Sequence, residues 1–110
     1  VLLHEAAVYR QLRSVQGLAV PRVFGVFACR AFTVLILAHC GTRVTQTGEL
    51  SRAQRASLYA DLGTVHRWGV VHGDLRAENI VVADDGVASL IDFSHAGTHR
   101  CLGPLLCEEL

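Results

Sequence analysis

The sequence predicts an α+β fold, and three observations carry that prediction. A capping-box sequence, Ser51-Arg52-Ala53-Gln54, opens a helix with one apolar face. A tight Asp84-Asp85-Gly86 turn joins two apolar runs into a hairpin. An earlier pair of β-branched and aromatic runs follows a first helical segment.

Taken in order, Leu3 to Val15 reads as a helix, because Val8, Leu12 and Val15 recur at i, i+4 and i+7 on one face. Gly17 ends it and Pro21 forbids its return. Arg22 to Cys29 and Ala31 to His39 read as antiparallel strands about a short turn near Arg30. Cys40-Gly41-Thr42 breaks the second strand, and the polar Arg43 to Glu49 reads as a loop. The helix after Ser51 carries Leu58, Leu62 and Val65 on one face, and Gly69 supplies a left-handed stop. Val70-Val71-His72 reads as a short strand, and Asn79 to Ala83 and Val87 to Asp92 as the arms of the Asp-Asp-Gly hairpin. Leu102 to Leu110 has some helical character, limited by Gly103-Pro104.

Composition narrows the functional classes. The chain has 110 residues, 51% of them hydrophobic, which suits one packed domain or part of one. Net charge is zero and all ten basic residues are Arg, scattered from Arg10 to Arg100, so no nucleic-acid partner is expected. The longest apolar run, Phe32 to Ala38 with Thr33 inside it, is too short for a bilayer span, so no membrane association is expected. No secretory signal is visible, and Cys29, Cys40, Cys101 and Cys107 form no C-x-x-C pair, which predicts reduced thiols and a cytoplasmic setting. A zinc set from His95, His99, Cys101 and Cys107 does not match the spacing of a common finger. No G-x-S-x-G is present to support a serine nucleophile. A start at Val1, inside a helical pattern, predicts an excerpt of a larger protein.

The chemistry-bearing residues cluster about the hairpin. Asp74 lies on the loop leading into it, Asn79 at the start of its first strand and Asp92 at the end of its second. A tight turn brings the strand ends together, so Asn79 and Asp92 should be neighbours. Hard oxygen ligands converging there suit Mg²⁺, which takes one or two protein carboxylates plus phosphate oxygens. Asp74 could then orient an attacking hydroxyl.

The stretch His72-Gly73-Asp74-Leu75-Arg76-Ala77-Glu78-Asn79 resembles the kinase catalytic loop H-R-D-L-x-x-x-N, and Asp92-Phe93-Ser94 resembles D-F-G. Ala31 to Gly41 is similar to the last N-lobe strand and hinge, and Glu5 to Leu12 to the αC helix with its ion-pairing Glu. The chain thus resembles the protein-kinase-like superfamily, in the style of fungal kinase-like proteins. The resemblance implies a partial N-lobe over residues 1–39 and the start of a C-lobe over 40–110. It implies an ATP- and Mg²⁺-dependent phosphotransferase acting on a hydroxyl, a protein Ser/Thr first and a small molecule second. The alternative is a pseudokinase or binding module without turnover.

Roles follow residue by residue from that resemblance. Asp74 would accept or orient the substrate hydroxyl, Asn79 and Asp92 would hold Mg²⁺ on the ATP phosphates, and Arg76 would contact the transferred phosphate. Glu5, Leu37 as gatekeeper, and the backbone of Ala38 and Cys40 would meet the nucleotide. His72 would brace the loop, Phe93 would pack toward the helix carrying Glu5, and His66 and Trp68 would pack against the loop. Glu108 and Glu109 read as a solvated end. The chain also departs from the kinase pattern: Gly73 stands for the Arg of H-R-D, Ser94 for the Gly of D-F-G, and neither G-x-G-x-x-G nor Lys occurs in these residues.

Overall fold

The computed structural model describes residues 2–31, 33–103 and 105–110. Phe32, at the head of the longest apolar run, and Pro104, which was to limit a C-terminal helix, lie outside the described residues. The fold is α+β: two helices, α1 (Leu2–Gln11) and α2 (Arg52–Arg67), and three small antiparallel sheets. Strands β1 (Val23–Ala28) and β2 (Thr33–Leu37) form the first sheet. Strands β3 (Thr42–Arg43), β5 (Ile80–Val82) and β6 (Ala88–Leu90) form the second, in the order β3-β5-β6. Strands β4 (Val70–Val71) and β7 (Gly97–Thr98) form the third.

The first helix is shorter than its periodicity suggests. It ends at Gln11, and a 3₁₀ turn, Arg13–Val15, carries the chain on. The Gln16 side chain explains the change of pitch. It donates to the Tyr9 carbonyl at 2.8 Å, occupying one of the helix's orphan acceptors, and accepts from the Val23 amide at 3.0 Å. The apolar stripe still does its work, since Val8, Leu12 and Val15 are all buried. They share a core with Tyr9, Val65, Val70, Phe93 and Ala96.

The second helix starts where its cap requires. The Gln54 amide donates to Ser51 Oγ at 3.0 Å, and the Ser51 amide donates to Gln54 Oε1 at 2.8 Å. Gln54 Nε2 also donates to the Gly86 carbonyl at 2.9 Å, tying the hairpin tip to the helix start. Leu58 and Leu62 pack with Val44, Leu50, Ile80, Ala88 and Leu90 in a second core. The helix therefore bridges both cores and holds the hairpin at a fixed distance from α1.

Two expectations are corrected. Leu102 to Leu110 forms no helix among its described residues and runs instead through turns. The Arg43 to Glu49 stretch is not wholly a loop: Thr42–Arg43 pairs with β5, and Thr47–Glu49 makes a 3₁₀ turn. Among the described residues, no helix is long and apolar enough to cross a membrane.

Asp61, on α2, is partly buried, and burial pushes its carboxyl up from 3.8 to about 6. Protonation therefore favours the folded chain. That contribution is fully present below about pH 3.8 and is lost as pH rises through about 6. Asp61→Asn should raise stability at pH 7 by about 1 kcal/mol, after discounting for solvent screening at a partly exposed site. Below pH 3.8 the gain should vanish. Urea unfolding at both pH values checks this.

Candidate functional site

The short β4 strand ends at Val71, and the chain turns at once into His72, whose ring is fully buried. His72 Nε2 donates to the Ile91 carbonyl at 2.7 Å, and Nδ1 accepts from the Asp74 amide at 3.2 Å. One ring thus locks the approach loop to the end of the hairpin. Phe93 packs on it with centroids 4.8 Å apart, and Tyr9 of α1 meets the same Phe93 edge-on at 5.3 Å.

Gly73 follows with φ +86, and a Cβ there would stand 2.3 Å from the His95 carbonyl oxygen. A side chain at this position fails on backbone conformation and on space together. This accounts for glycine in place of the Arg of the kinase motif. Gly73→Ala should cost about 1–2 kcal/mol from backbone conformation alone. The clash with His95 adds to that, and the urea midpoint of the variant reads the sum.

Asp74 and Asn79 form one unit. Asn79 is buried and sits in the 3₁₀ turn Ala77–Asn79 just before β5. Its Nδ2 donates to the Asp74 carbonyl at 2.8 Å and to Asp74 Oδ2 at 3.0 Å. Its own carbonyl accepts from the Ile91 amide at 2.9 Å, so the Asn79–Ile91 pair extends the β5–β6 register outward. Asp92 is the next residue beyond that pair. Arg76 is exposed and reaches back through Nε to Asp74 Oδ1 at 3.2 Å and to Glu78 at 3.5 Å. His95 Nδ1 lies 3.6 Å from Asp74 Oδ2, a neighbour that sequence reasoning missed.

Asp92 has φ 61, the only non-glycine residue with positive φ among those described. Ser94 holds it there: its hydroxyl donates to Asp92 Oδ1 at 2.5 Å and its amide donates to the same atom at 3.1 Å. The Ser94 hydroxyl, ahead of partial burial that opposes it, keeps the Asp92 carboxyl below the usual carboxylate range. The second oxygen, Oδ2, is left without a protein partner among the described residues. A strained backbone carrying an ionised carboxylate is characteristic of functional sites.

Asp92 opens onto a cavity of about 540 Å³. Glu5, Leu37, Ala38 and Cys40 line the same cavity, with Pro21 and Ile91 beside them. Its size lies within the range of small-molecule sites. Glu5 is buried and accepts from the Phe93 amide at 3.0 Å. Burial raises its carboxyl, outweighing the opposing pull of that hydrogen bond. The Ala38 amide is spent on the Arg22 carbonyl at 2.8 Å, and burial pushes the Cys40 thiol up. Asp74, Arg76 and Asn79 do not line this cavity: Asn79 pairs with Ile91, the residue before Asp92, Asp74 is held by Asn79, and Arg76 lines a separate cavity with Leu75, Ile80 and Leu90.

Two expectations at the periphery change. Glu109 is not solvated: it accepts from the His72 and Gly73 amides at 2.8 Å each and pairs with His66 Nε2 at 2.6 Å. Burial works against its charge, but the two amides and His66 together hold the carboxyl below its ordinary value. Trp68 is half exposed rather than packed on the loop, and its carbonyl accepts from Gln11 Nε2 at 2.9 Å.

Comparison with known proteins agrees with this architecture. Residues 37–107 match the pattern of the phosphotransferase enzyme family (APH), which covers well over half of the chain. A PAS domain-containing serine/threonine-protein kinase of Mus musculus is 44% identical over 39 residues, or 36% of this chain. The chain spans 3% of the length of that mouse kinase. With residues 72–79 and the β5–β6 hairpin inside the matched segment, the chain belongs to the phosphotransferase enzyme family, within the protein-kinase-like superfamily.

Proposed function

We propose that this chain carries the phosphoryl-transfer centre of an ATP- and Mg²⁺-dependent enzyme that phosphorylates a hydroxyl. The observation that carries the reading is the cleft. Glu5, Leu37, Ala38, Cys40 and Asp92 share one cavity, and the Asp74–Asn79 unit stands at its hairpin end. The boundary between the N-lobe remnant and the start of the C-lobe then falls between residues 39 and 40, at the mouth of that cleft.

The adenine would lie against Leu37, Ala38 and Cys40, and the phosphates toward Asp92. Asp92 Oδ2 and Asn79 Oδ1 are hard oxygen donors left free by the hydrogen bonds described above, a set that fits Mg²⁺. The ion, when bound, neutralises charge on the phosphates. Asp74 orients the substrate hydroxyl and takes its proton as the hydroxyl oxygen bonds to the γ-phosphorus and the bond to ADP breaks. Arg76, held near Asp74 through Nε, offers its guanidinium to the transferred group. A protein serine or threonine is the first choice of acceptor, supported by the likeness to the mouse kinase. A small-molecule hydroxyl is the second, and free thiols suit a reducing, cytoplasmic setting.

A second reading, a nucleotide-binding module without turnover, is favoured by Glu5, whose carboxylate accepts from the Phe93 amide and is taken up inside the fold. Thermal unfolding of the intact protein with and without Mg²⁺–ATP tests the binding shared by both. A ligand at 100 times its Kd should stabilise by about 2.7 kcal/mol. Asp92→Asn should lose most of that shift, and no shift in the unsubstituted protein would overturn both readings. ADP production with a hydroxyl acceptor then separates the enzyme from the module.

A further inference from the structure

A second cluster of ligand-type side chains lies away from the phosphoryl-transfer cleft. It gathers His66 from the last turn of α2, His99 and Cys101 from the segment after β7, and Cys107 from the C-terminal turn. One ligand atom from each lies within 4.8 Å of all the others. The β4–β7 pairing makes this meeting possible. It sets Val70 opposite Thr98, and the His99 amide donates to the Gly69 carbonyl at 2.9 Å, which lands His99 beside the end of α2.

Two of the donor separations match those of a coordination sphere. Cys107 Sγ lies 3.4 Å from His66 Nδ1 and 3.7 Å from His99 Nε2. A tetrahedral zinc ion, with Zn–S near 2.3 Å and Zn–N near 2.0–2.1 Å, sets nitrogen and sulfur about 3.5 Å apart. The two rings stand perpendicular, with centroids 4.7 Å apart. His66 carries the outer partner that metal-bound histidines use: Nε2 is held by Glu109 at 2.6 Å, which turns Nδ1 toward the cluster. His99 Nδ1 is buried with no hydrogen-bond partner among the described residues, so the ring's one polar contact there is Nε2 with Cys107 Sγ, inside the cluster. A cavity of about 790 Å³, lined in part by His66, His99 and Cys101, gives a path from solvent.

We propose that His66, His99, Cys101 and Cys107 bind one tetrahedral zinc ion. Two nitrogens and two sulfurs are a donor set that selects zinc over the hard cations of the nucleotide cleft. The set weighed from the sequence held His95, which pairs instead with Asp74; the fold puts His66, far upstream in the sequence, in its place. The ion closes the C-terminal segment over the catalytic loop. Cys107 is a ligand, and two residues later Glu109 accepts from the His72 and Gly73 amides and from His66. Metal binding therefore positions the carboxylate that holds the entrance to the Asp74 loop.

Cobalt titration of the reduced protein is the direct test, because tetrahedral S₂N₂ coordination gives intense visible bands that six-coordinate oxygen sites lack. The expected result is one equivalent of Co²⁺ with a tetrahedral, thiolate-bearing spectrum, displaced by one equivalent of Zn²⁺. Cys101→Ser and Cys107→Ser should each remove that spectrum, while Cys29→Ser and Cys40→Ser retain it. Circular dichroism of each variant without metal establishes that loss of binding is not loss of fold. Should either serine variant fail to fold, Glu109→Gln provides the alternative reading, with zinc affinity about 10–100-fold weaker. Zinc should also slow hydrogen exchange at the Gly73 amide. Absence of a tetrahedral spectrum, a spectrum that survives both Cys101→Ser and Cys107→Ser, or a Gly73 amide indifferent to bound zinc would overturn the proposal.

Discussion

Asp74→Asn should lower the rate of phosphoryl transfer by about 10²–10⁴-fold, the usual contribution of a positioned general base. The nucleotide affinity should stay close to that of the unsubstituted protein. Asparagine keeps an oxygen to accept from Asn79 Nδ2, which lies 3.0 Å from Asp74 Oδ2, and the Asp74 carbonyl still accepts from the same nitrogen at 2.8 Å. The loop therefore keeps its shape while losing the charge to which the proposed reading assigns orientation and deprotonation of the hydroxyl. Asp74 lies outside the cavity that Asp92 lines, so the cost falls on kcat and not on nucleotide binding. Steady-state kinetics with separate variation of ATP and acceptor reads this split. An equal loss in nucleotide affinity would place Asp74 among the binding groups instead.

Phe93→Ala should destabilise the fold by about 3–5 kcal/mol, the cost of truncating a fully buried aromatic residue. Phe93 is 0% exposed and sits at the centre of the first core. It touches Tyr9 from α1 edge-on and tilts against His72 from the loop after β4, so one ring joins α1 to that loop. Its amide donates to Glu5 at 3.0 Å, and that hydrogen bond survives the substitution because it uses backbone. The loss is therefore one of packing. Against a typical total of about 5–15 kcal/mol, it removes a large share of the stability. Urea unfolding gives the figure, and a cost under about 1 kcal/mol would mean that the core closes over the gap.

Features signalled by neighbouring residues were legible in the sequence. The capping box at Ser51, the apolar face of α2 and the Asp-Asp-Gly hairpin each rest on residues within a few positions of one another, and each is present in the fold. That Asn79 comes to lie beside Asp92 was legible for the same reason: a short hairpin leaves few ways to place its two ends, and the Asn79 carbonyl accepts from the amide of Ile91. Features made by tertiary contact were not. Glu109 reaches His72 across 37 positions, and nothing near a Glu-Glu pair at the end of a chain signals a buried carboxylate. Gly73 was visible as a departure from the kinase motif, but its cause is the His95 carbonyl brought over it by the β4–β7 pairing. That sheet has only two residues per strand, too few for periodicity to reveal. The His66 cluster was hidden by the same pairing, since His66 lies more than thirty positions before the other three ligands.

Paramagnetic broadening by Mn²⁺–ATP measures the central claim most directly, because Mn²⁺ takes the same oxygen ligands as Mg²⁺ and reports its own position. The expected result is saturable loss of amide signals from Leu37, Ala38 and Cys40 and from Ile91 to Ser94, with Asn79 among them, and recovery of those signals in Asp92→Asn. Broadening that avoids the cleft, or that persists unchanged in Asp92→Asn, would contradict the assignment of this hairpin as the metal-nucleotide centre.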